Sequence, residues 1–434
     1  MLQPTSQPRV TRQISQRAVF EGLLHKGPIS RAELSKATGL SKQTISEVVD
    51  EFERRGWARP IGRTSGNIGR TAVLYELCTD GGYVVGVDVG GTKVTAAIAD
   101  MSCATLLEAT EPTDPSGGGA ILDQIARLVA RLAREVNAHP TRVLCAAVGA
   151  PGVVNKRTGF IELAPNVPGL DEIEVGKILK DKLGGHVLVE NDVNLALLGE
   201  IWQGCAREAA HVAFLAFGTG VGLGLAANGR LIRGENGAAG EIGYLPVGGD
   251  AFAPETPSQG ALEYEIGAGG ILRRYRAAGG ASVGNVREIF DQLAHGDPLA
   301  ERIIDDTARV AALAASSVAA MFDPQLIVVG GAIGGRSEFL DRLQIHLSRC
   351  ARRPPEMRSS ALQNRAGVVG ALAVALNWLH EDMFGLPDLP GELPLPYPKA
   401  SGPKASSPKI SSPSPKTSSP KTSSPKTLGE KTAR

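Results

Sequence analysis

A glycine-rich turn near residue 90 has the residue types needed to contact phosphate. In "GVDVGGTKV", Gly90, Gly91 and Thr92 separate two apolar strands, and Asp88 precedes the turn. Glycines let backbone N–H groups approach an anion, the threonine hydroxyl adds a donor, and the aspartate can hold a cation or its water. The turn is neither a P-loop nor a dinucleotide-binding turn, because the P-loop pattern is absent and no helix follows the glycines. An ordinary β-hairpin turn remains the alternative.

Two further glycine-rich segments have the same character. In "FGTGVGLGL", Gly218 and Thr219 lie between apolar strands, and in "DPQLIVVGGAIGG" a glycine pair ends a buried strand. Ligands of open α/β sheets bind outside the carboxyl ends of strands. Each segment alone could be a plain loop, but the three together predict a nucleotide or sugar cleft between two lobes.

The segment "VLVENDVNLALLGEIW" supplies a candidate proton acceptor. A short strand leads into Asp192, and a helix follows at once. A carboxylate at this position can accept the proton of a sugar hydroxyl that attacks a γ-phosphate, while Mg²⁺ balances the phosphate charge. The alternative is that Asp192 merely caps the helix.

Ahead of this body, two short helices joined by a turn are predicted between residues 30 and 55. Ser30 and Glu33 form a capping box that starts the first helix, which ends near Gly39, and Ser41 can cap the second. The second helix has one apolar face, formed at helical spacing by Ile45, Val48, Val49 and Phe52.

The opposite face of that helix is polar, as in a DNA-reading helix. In a helix-turn-helix, the N-terminal residues of the second helix contact base edges. A preceding helix and a β-hairpin wing ("WARPIG" and "TAVLYEL") complete a winged helix-turn-helix over residues 10–78. A protein-interaction module is the alternative. The predicted DNA contacts are Lys42, Gln43, Thr44 and Ser46 on the helix, and Arg63 and Arg70 in the wing, which would contact phosphates or a minor groove.

Length and composition indicate a modular cytoplasmic protein. The chain of 434 residues is long enough for two or three domains. Its five cysteines are scattered, without a C-x-x-C pair, so neither a disulfide framework nor a cysteine zinc site is expected. The N-terminus lacks the apolar stretch of a signal peptide, and no segment is long enough to span a membrane.

Charge is unevenly distributed along the chain. The net charge is +1, but residues 1–80 carry +4 and residues 399–434 carry +7, which leaves −10 for the middle. This asymmetry predicts a polyanionic partner at the two ends. Residues 383–434, rich in Pro, Ser and Lys, are predicted to be disordered. This tail either keeps the protein in solution or makes loose contacts with DNA phosphates.

Seven motifs in order resemble those of the ROK family (repressor, open reading frame, kinase). They are "GVDVGGTKV", "VGAPGVVN", "APNVPGL", "ENDVNLALLGE", "FGTGVGLGL", "GAAGEIGY" and "DPQLIVVGGAIGG". The winged helix is similar to that of the family's xylose- and N-acetylglucosamine-repressor branch. The resemblance implies an α/β, actin-like (ribonuclease H-like) body over residues 80–382, whose two lobes close on sugar and nucleotide.

The resemblance also implies roles for individual residues. Asp192 matches the family's catalytic base and also contacts the sugar. The residues that match its sugar-hydroxyl contacts are Asn166, Asn191, Glu241 and Glu263. Those that match its phosphate contacts are Asp88, Gly90, Gly91, Thr92, Gly218 and Thr219.

One segment departs from the family pattern. A histidine and three cysteines usually surround a structural zinc, but here Tyr244, Pro254, Thr256 and Ala261 occupy those positions. We therefore expect no structural zinc, and no cofactor is required, although ATP with Mg²⁺ fits the phosphate turns. Because the family's histidine also touches the sugar, the identity of the sugar is left open.

These observations predict a sugar-responsive DNA-binding transcriptional regulator, a repressor of carbohydrate-metabolism genes. Its expected partners are a pseudo-palindromic operator, a sugar or sugar-phosphate effector and further copies of itself in a homodimer or homotetramer. One alternative is an ATP-dependent, glucokinase-like sugar kinase that carries a DNA-binding arm. A scaffold with neither activity is the other.

Overall fold

The computed structural model describes residues 7–63, 71–155, 158–162, 167–254, 256–280 and 282–384. Three predictions fall outside these ranges: the sugar contact Asn166, the wing residue Arg70, and the tail beyond Phe384. The described residues form an N-terminal winged helix and two α/β lobes, which confirms the predicted fold class. Within the described ranges, no helix combines the length and apolar character needed to cross a membrane.

The winged helix has three helices and a three-stranded sheet in the order β1-β3-β2. The helix-end signals are confirmed: Ser30 and Glu33 form the capping box, and the Ser41 hydroxyl accepts the N–H of Thr44. Gly39 ends the helix that Ser30 begins, and its φ is 75°, a conformation that glycine adopts without a steric cost. The elements are α1 (Gln7–Lys26), β1 (Ile29–Ser30), α2 (Arg31–Thr38), α3 (Lys42–Arg55), β2 (Ala58–Arg63) and β3 (Val73–Leu77).

The first lobe is built on a five-stranded sheet in the order β10-β7-β4-β5-β6. Strands β4, β7 and β10 are parallel, whereas β4, β5 and β6 form antiparallel hairpins. β4 is apolar almost throughout because helices cover both faces of the sheet. The elements are β4 (Tyr83–Val89), β5 (Lys93–Asp100), β6 (Thr105–Pro112), α4 (Gly118–Glu135), β7 (Val143–Ala150), β8 (Val153–Val154), β9 (Ile161–Glu162), α5 (Val175–Leu183) and β10 (His186–Asn191).

The second lobe has a sheet of the same size, in the order β13-β12-β11-β14-β15. β11 and β12 form the second predicted hairpin, and β14 and β15 run parallel to β11. The strands are β11 (His211–Phe217), β12 (Val221–Ala227), β13 (Arg230–Leu231), β14 (Leu326–Gly330) and β15 (Glu356–Ser359). The helices are α7 (Thr256–Gln259), α8 (Ala261–Ile266), α9 (Ala268–Ala277), α10 (Val286–Ala294), α11 (Pro298–Phe322), α12 (Gly331–Gly334) and α13 (Ser337–Cys350).

Two helices, α6 (Asp192–Gln203) and α14 (Ala366–Phe384), connect the lobes. α6 packs on β11 and β12 of the second lobe, and α14 packs on β4 and β7 of the first. The two helices also pack against each other, and they cross so closely that a side chain at Gly370 would overlap the carbonyl oxygen of Leu195. Glycine is therefore required at this crossing.

The far end of α14 contacts the winged helix. The rings of Phe20 on α1 and His380 on α14 meet edge to face, with their centroids 5.3 Å apart. One continuous cluster of buried side chains includes Phe52 of α3, Val84 of β4 and Leu376 of α14. The winged helix and the first lobe therefore share a hydrophobic core.

Candidate functional site

Four of the predicted site residues are carboxylates contributed by both lobes, here called the carboxylate cluster: Asp88, Asp192, Glu241 and Glu263. Asp88 lies near the end of β4, and Asp192 is the first residue of α6. Glu241 precedes a 3₁₀ turn that begins at Ile242, and Glu263 lies in α8. Asp192 lies close enough to raise the pKa values of Asp88 and Glu241, and Glu263 close enough to raise that of Glu241, so the fold brings these four residues together.

Strand register explains how Asp88 and Asp192 become neighbours. Asp88, Gly149 and Glu190 align across β4, β7 and β10, whose carboxyl ends lie at one edge of the sheet. Gly149 leaves room between the two aspartates, because a Cβ there would lie 2.7 Å from Leu195 Cδ1 and 3.6 Å from Asp192 Cα. A side chain at this position would push the Leu195 side chain of α6 aside.

Burial raises the pKa values of all four carboxyls, and repulsion between like charges adds to this at Asp88 and Glu241. Burial, followed by repulsion from Asp192, raises the pKa of Asp88 to about 7, against a smaller opposing effect of Lys93. Burial raises the pKa of Asp192 to about 6, and burial with repulsion from Asp192 and Glu263 raises that of Glu241 to about 7. Burial also raises the pKa of Glu263. Such a cluster attracts cations and hydrogen-bond donors such as sugar hydroxyls.

Asn191 and Asp192 have separate roles at the start of α6. The Asn191 side chain is the N-cap, since its Oδ1 accepts the N–H of Asn194 at 3.0 Å and its Nδ2 donates to the carbonyl of Gly152. The alternative in which Asp192 caps the helix is therefore wrong. Asp192 Oδ1 accepts the adjacent N–H of Val193 at 2.9 Å.

Glu263 is tied to the second glycine-rich turn. Its Oε2 accepts the N–H of Val221 at 2.9 Å, directly after Gly218, Thr219 and Gly220. A side chain at Gly220 would collide with this carboxylate. Glycine at 220 is thus needed for the acid to approach the turn, a role that we had not assigned to it from the sequence.

The two predicted phosphate turns are β-hairpin turns, and part of their backbone is already bonded. The N–H of Gly90 donates to Lys93 O at 2.9 Å, and the N–H of Gly218 donates to Gly220 O at 3.0 Å. These bonds close the hairpins, so these two N–H groups point into their turns. Gly91, Thr92 and Thr219 lie exposed at the surface of the turns.

Asp88 also touches the beginning of α14. A Cβ on Gly367, the second residue of that helix, would lie 2.5 Å from Asp88 Oδ2. The first turn of α14 therefore contacts the carboxylate cluster, while its last turns contact the winged helix.

The segment that departs from the family's zinc pattern is held by hydrogen bonds. Thr256 is 4% exposed, and its hydroxyl lies 2.8 Å from Ala251 O and 2.7 Å from Ala253 O. Tyr244 is 37% exposed, and burial, followed by repulsion from Glu241 and Glu263, raises the pKa of its phenol. Within the described part of the chain, no three His, Cys, Asp or Glu side chains are grouped to hold a metal ion. The hydroxyl at Thr256 does not fit a zinc ligand.

The predicted DNA-contacting residues lie at the start of α3 and in the wing. Lys42 and Gln43 are exposed, and Gln43 donates to Glu47 at 3.0 Å. Thr44 is half-buried and its hydroxyl pairs with that of Ser41, while Arg63 is exposed at the end of β2. Lys42, Gln43 and Thr44 therefore form a polar surface in the first turn of α3, and Arg63 lies on the wing.

Ser46 differs from its predicted position on the open face. It is half-buried, and its hydroxyl accepts from Arg31 Nη1 at 2.6 Å. Arg31 also bonds Asp50 and lies over the Tyr75 ring, 5.0 Å from its centroid. The arginine thus holds α3 against α2 and the wing. The Ser46 hydroxyl is bonded within the domain as part of this contact.

Two further glutamates with structural bonds, Glu200 and Glu190, were not singled out from the sequence. Glu200 is fully buried in α6, and its carboxylate accepts from the Ser360 hydroxyl at 2.6 Å and from the Leu362 N–H at 2.9 Å. Glu190 forms an ion pair with Arg233 of the second lobe. The signal for Glu200 was present in "LALLGEIW", where one acid stands among apolar residues of a helix.

Comparison with known proteins identifies two family profiles in the chain. The profile of the ROK family matches residues 84–377, and that of the MarR family matches residues 10–64. A glucokinase from Halalkalibacterium halodurans is 30% identical over 66% of this chain and 93% of its own length. A putative xylose repressor from a Caldicellulosiruptor species is 23% identical over 87% of this chain and 98% of its own length.

The overall architecture also matches a solved structure. A ROK family transcriptional regulator, a homologue of the E. coli MLC protein, superposes with a TM-score of 0.68 at 22% identity, over 86% of this chain and 98% of that one. This likeness concerns the fold, including an actin-like body that follows a winged helix. The ROK family includes both kinases and repressors. Because the ROK profile covers more than half of the chain, this protein belongs to the ROK family.

Proposed function

We propose that the protein is a transcriptional regulator, a repressor, that binds DNA through its winged helix and a sugar or sugar derivative at the carboxylate cluster. The proposal rests on the two contacts of α14. Its first turn touches Asp88, and its last turns pack on Phe20 of the winged helix. A ligand that changes the position of α14 changes the DNA-binding surface. The xylose repressor among the relatives spans the same two parts of the chain.

The ligand proposed for the cluster is a polyhydroxylated sugar. Four carboxyls with raised pKa values offer acceptors for hydroxyl protons, and each hydrogen bond to a hydroxyl reduces the cost of keeping a carboxylate charged there. Glu241 and Glu263 belong to the second lobe, Asp88 belongs to the first, and Asp192 directly follows β10 of the first. A ligand bonded to both lobes favours one lobe arrangement over others, which is the requirement for a ligand-driven switch.

The second candidate function is an ATP-dependent sugar kinase. Burial holds the pKa of Asp192 at about 6, near the pH at which a general base must act. In that reaction a sugar hydroxyl oxygen bonds to the γ-phosphorus, the bond to the bridging oxygen breaks, ADP leaves, and Asp192 takes the hydroxyl proton. Asp88, Gly91, Thr92 and Thr219 would face the phosphates, and Mg²⁺ held at Asp88 would offset their charge.

A mobility-shift assay with DNA from upstream of the protein's own gene tests the two functions. We expect D-xylose, D-glucose or N-acetylglucosamine to change DNA affinity by about 5- to 150-fold, the usual range of allosteric coupling. Turnover of a sugar at about 1 to 100 per second, the range of kinases, together with DNA binding that no sugar changes, would establish the kinase instead.

Two variants separate sensing from catalysis. Glu241→Ala removes a hydroxyl acceptor, so we expect it to abolish the sugar's effect while leaving sugar-free DNA binding unchanged. Asp192→Asn keeps size and some hydrogen bonding but cannot take a proton, so we expect loss of any turnover with part of the sugar response retained. Parallel phosphotransfer and mobility-shift assays measure both. Equal loss of both properties in both variants would contradict this division.

A further inference from the structure

An ion pair joins the two lobes beside the carboxylate cluster. Arg233 Nε lies 2.6 Å from Glu190 Oε2, and the two side chains are 30% and 13% exposed. Glu190 belongs to β10 of the first lobe, and Arg233 follows β13 of the second. Because the partners belong to different lobes, a change in lobe arrangement stretches or breaks this pair.

On the first-lobe side, the pair is connected to the cluster through Glu190. The second carboxylate oxygen, Oε1, accepts the N–H of Asn191 at 3.1 Å and the side-chain amide of Asn194 at 3.0 Å. Glu190 thus bonds one residue before Asp192 in the chain, Asn191, and one after it, Asn194. The orientation of Glu190 and the start of α6 are therefore set together.

On the second-lobe side, Arg233 begins a short loop that ends at Glu241. Residues 233–240, here called the 233–240 loop, are closed by the N–H of Ala239, which donates to Arg233 O at 3.0 Å. Within the loop, a Cβ on Gly237 would lie 2.8 Å from Val154 O of the first lobe. The loop thus rests on the first lobe at one point and is tied to it by Arg233 at another.

We propose that Arg233 is a positioning residue: through Glu190 it holds Glu241 of the second lobe in register with Asn191 and Asp192 of the first. The ion pair acts as a latch that pre-organises the cluster for a ligand that touches both lobes. Guanidinium suits this role because it stays charged and offers several donors in fixed directions. The identity of that ligand rests on the proposed function, whereas the latch rests on the contacts alone.

The first test is a double-mutant cycle on ligand binding. D-glucose and D-xylose serve as probes, and their dissociation constants are measured by calorimetry for wild type, Arg233→Gln, Glu190→Gln and the double variant. We expect each single variant to weaken binding about 10-fold and the double variant to be no weaker than the worse single one. Lys182→Gln is the matched control, since it removes another 2.6 Å pair, with Asp123, that lies within the first lobe.

The second test needs no ligand. Amide hydrogen exchange of residues 186–194 and 233–241 reports on the two segments that the latch connects. We expect faster exchange in both segments when either partner is substituted, and wild-type rates in Lys182→Gln. Unchanged exchange in both segments, or fully additive effects in the binding cycle, would overturn the proposal. A wild type that binds neither sugar counts against the proposed function, while the exchange rates still decide the latch.

Discussion

At the scale of single residues, the carboxylate cluster concentrates negative charge that the fold only partly offsets. Glu241 shows this most clearly, because burial and two neighbouring acids raise its pKa to about 7. A buried carboxyl of this kind lowers the free energy of unfolding at neutral pH. Ligand-binding sites are commonly less stable than the rest of a fold for such reasons. The acid is retained here where a sugar hydroxyl would approach.

Glu241→Gln should therefore stabilise the protein at neutral pH. Below about pH 4 the Glu241 carboxyl is protonated in both folded and unfolded states and imposes no penalty. Between about pH 4.5 and 7 the unfolded state ionises first, so stability falls as pH rises. From a pKa near 7, the gain above pH 7 should be about 2 kcal/mol, at 1.36 kcal/mol per pKa unit and with allowance for partial exposure. Chemical denaturation at pH 7.5 and pH 4.5 measures it, and an equal gain at both would contradict the electrostatic cause.

At the scale of elements, the sequence predicted the helix caps and the hairpin turns, because short-range interactions determine these features. The capping box of Ser30 and Glu33, the cap at Ser41 and the two glycine-rich hairpins all depend on residues a few positions apart. The latch between Glu190 and Arg233 and the contact between α1 and α14 could not be predicted in this way, since their partners are far apart in sequence. The meeting of Glu241 with Asp192 was expected only from family resemblance.

The segment around Thr256 leads to a prediction about metal independence. Its hydroxyl bonds two backbone carbonyls, so Thr256→Val, which keeps the shape, should lower the free energy of unfolding by about 1 to 2 kcal/mol. EDTA should not change the melting temperature of the wild type. Gln259→Ala, at an exposed neighbouring position, is the control. Elemental analysis that found one zinc per chain would overturn the assignment of these positions.

At the scale of the whole molecule, DNA recognition depends on how many copies assemble. A helix-turn-helix protein reads two half-sites whose centres are about 34 to 36 Å apart, or a multiple of that distance. The exposed Lys42 and Gln43 would then contact the same bases in each half-site. The two-fold symmetry of such an assembly would be mirrored in the operator.

We therefore expect a dimer or tetramer by light scattering and a footprint with two-fold symmetry. Gln43→Ala should relax specificity at one symmetric pair of base positions, since a side chain that bonds bases carries specificity. Arg63→Ala should weaken binding to all sequences alike, as a phosphate contact would. A monomer that binds an asymmetric site tightly would contradict the expected assembly.

The contact between α1 and α14 also bears on how the protein is synthesised. About 360 residues separate Phe20 from His380, so the first helix emerges from the ribosome long before the helix that covers it. At about 5 to 20 residues per second, the interval is roughly 20 to 70 s. During that time the part of α1 that α14 covers faces water, although α2 and α3 can already pack on the rest of the helix, and chaperones have an opportunity to bind there. A chain whose translation stops before residue 366 would keep that surface exposed, and we expect it to aggregate or be degraded before it could bind DNA without responding to a sugar.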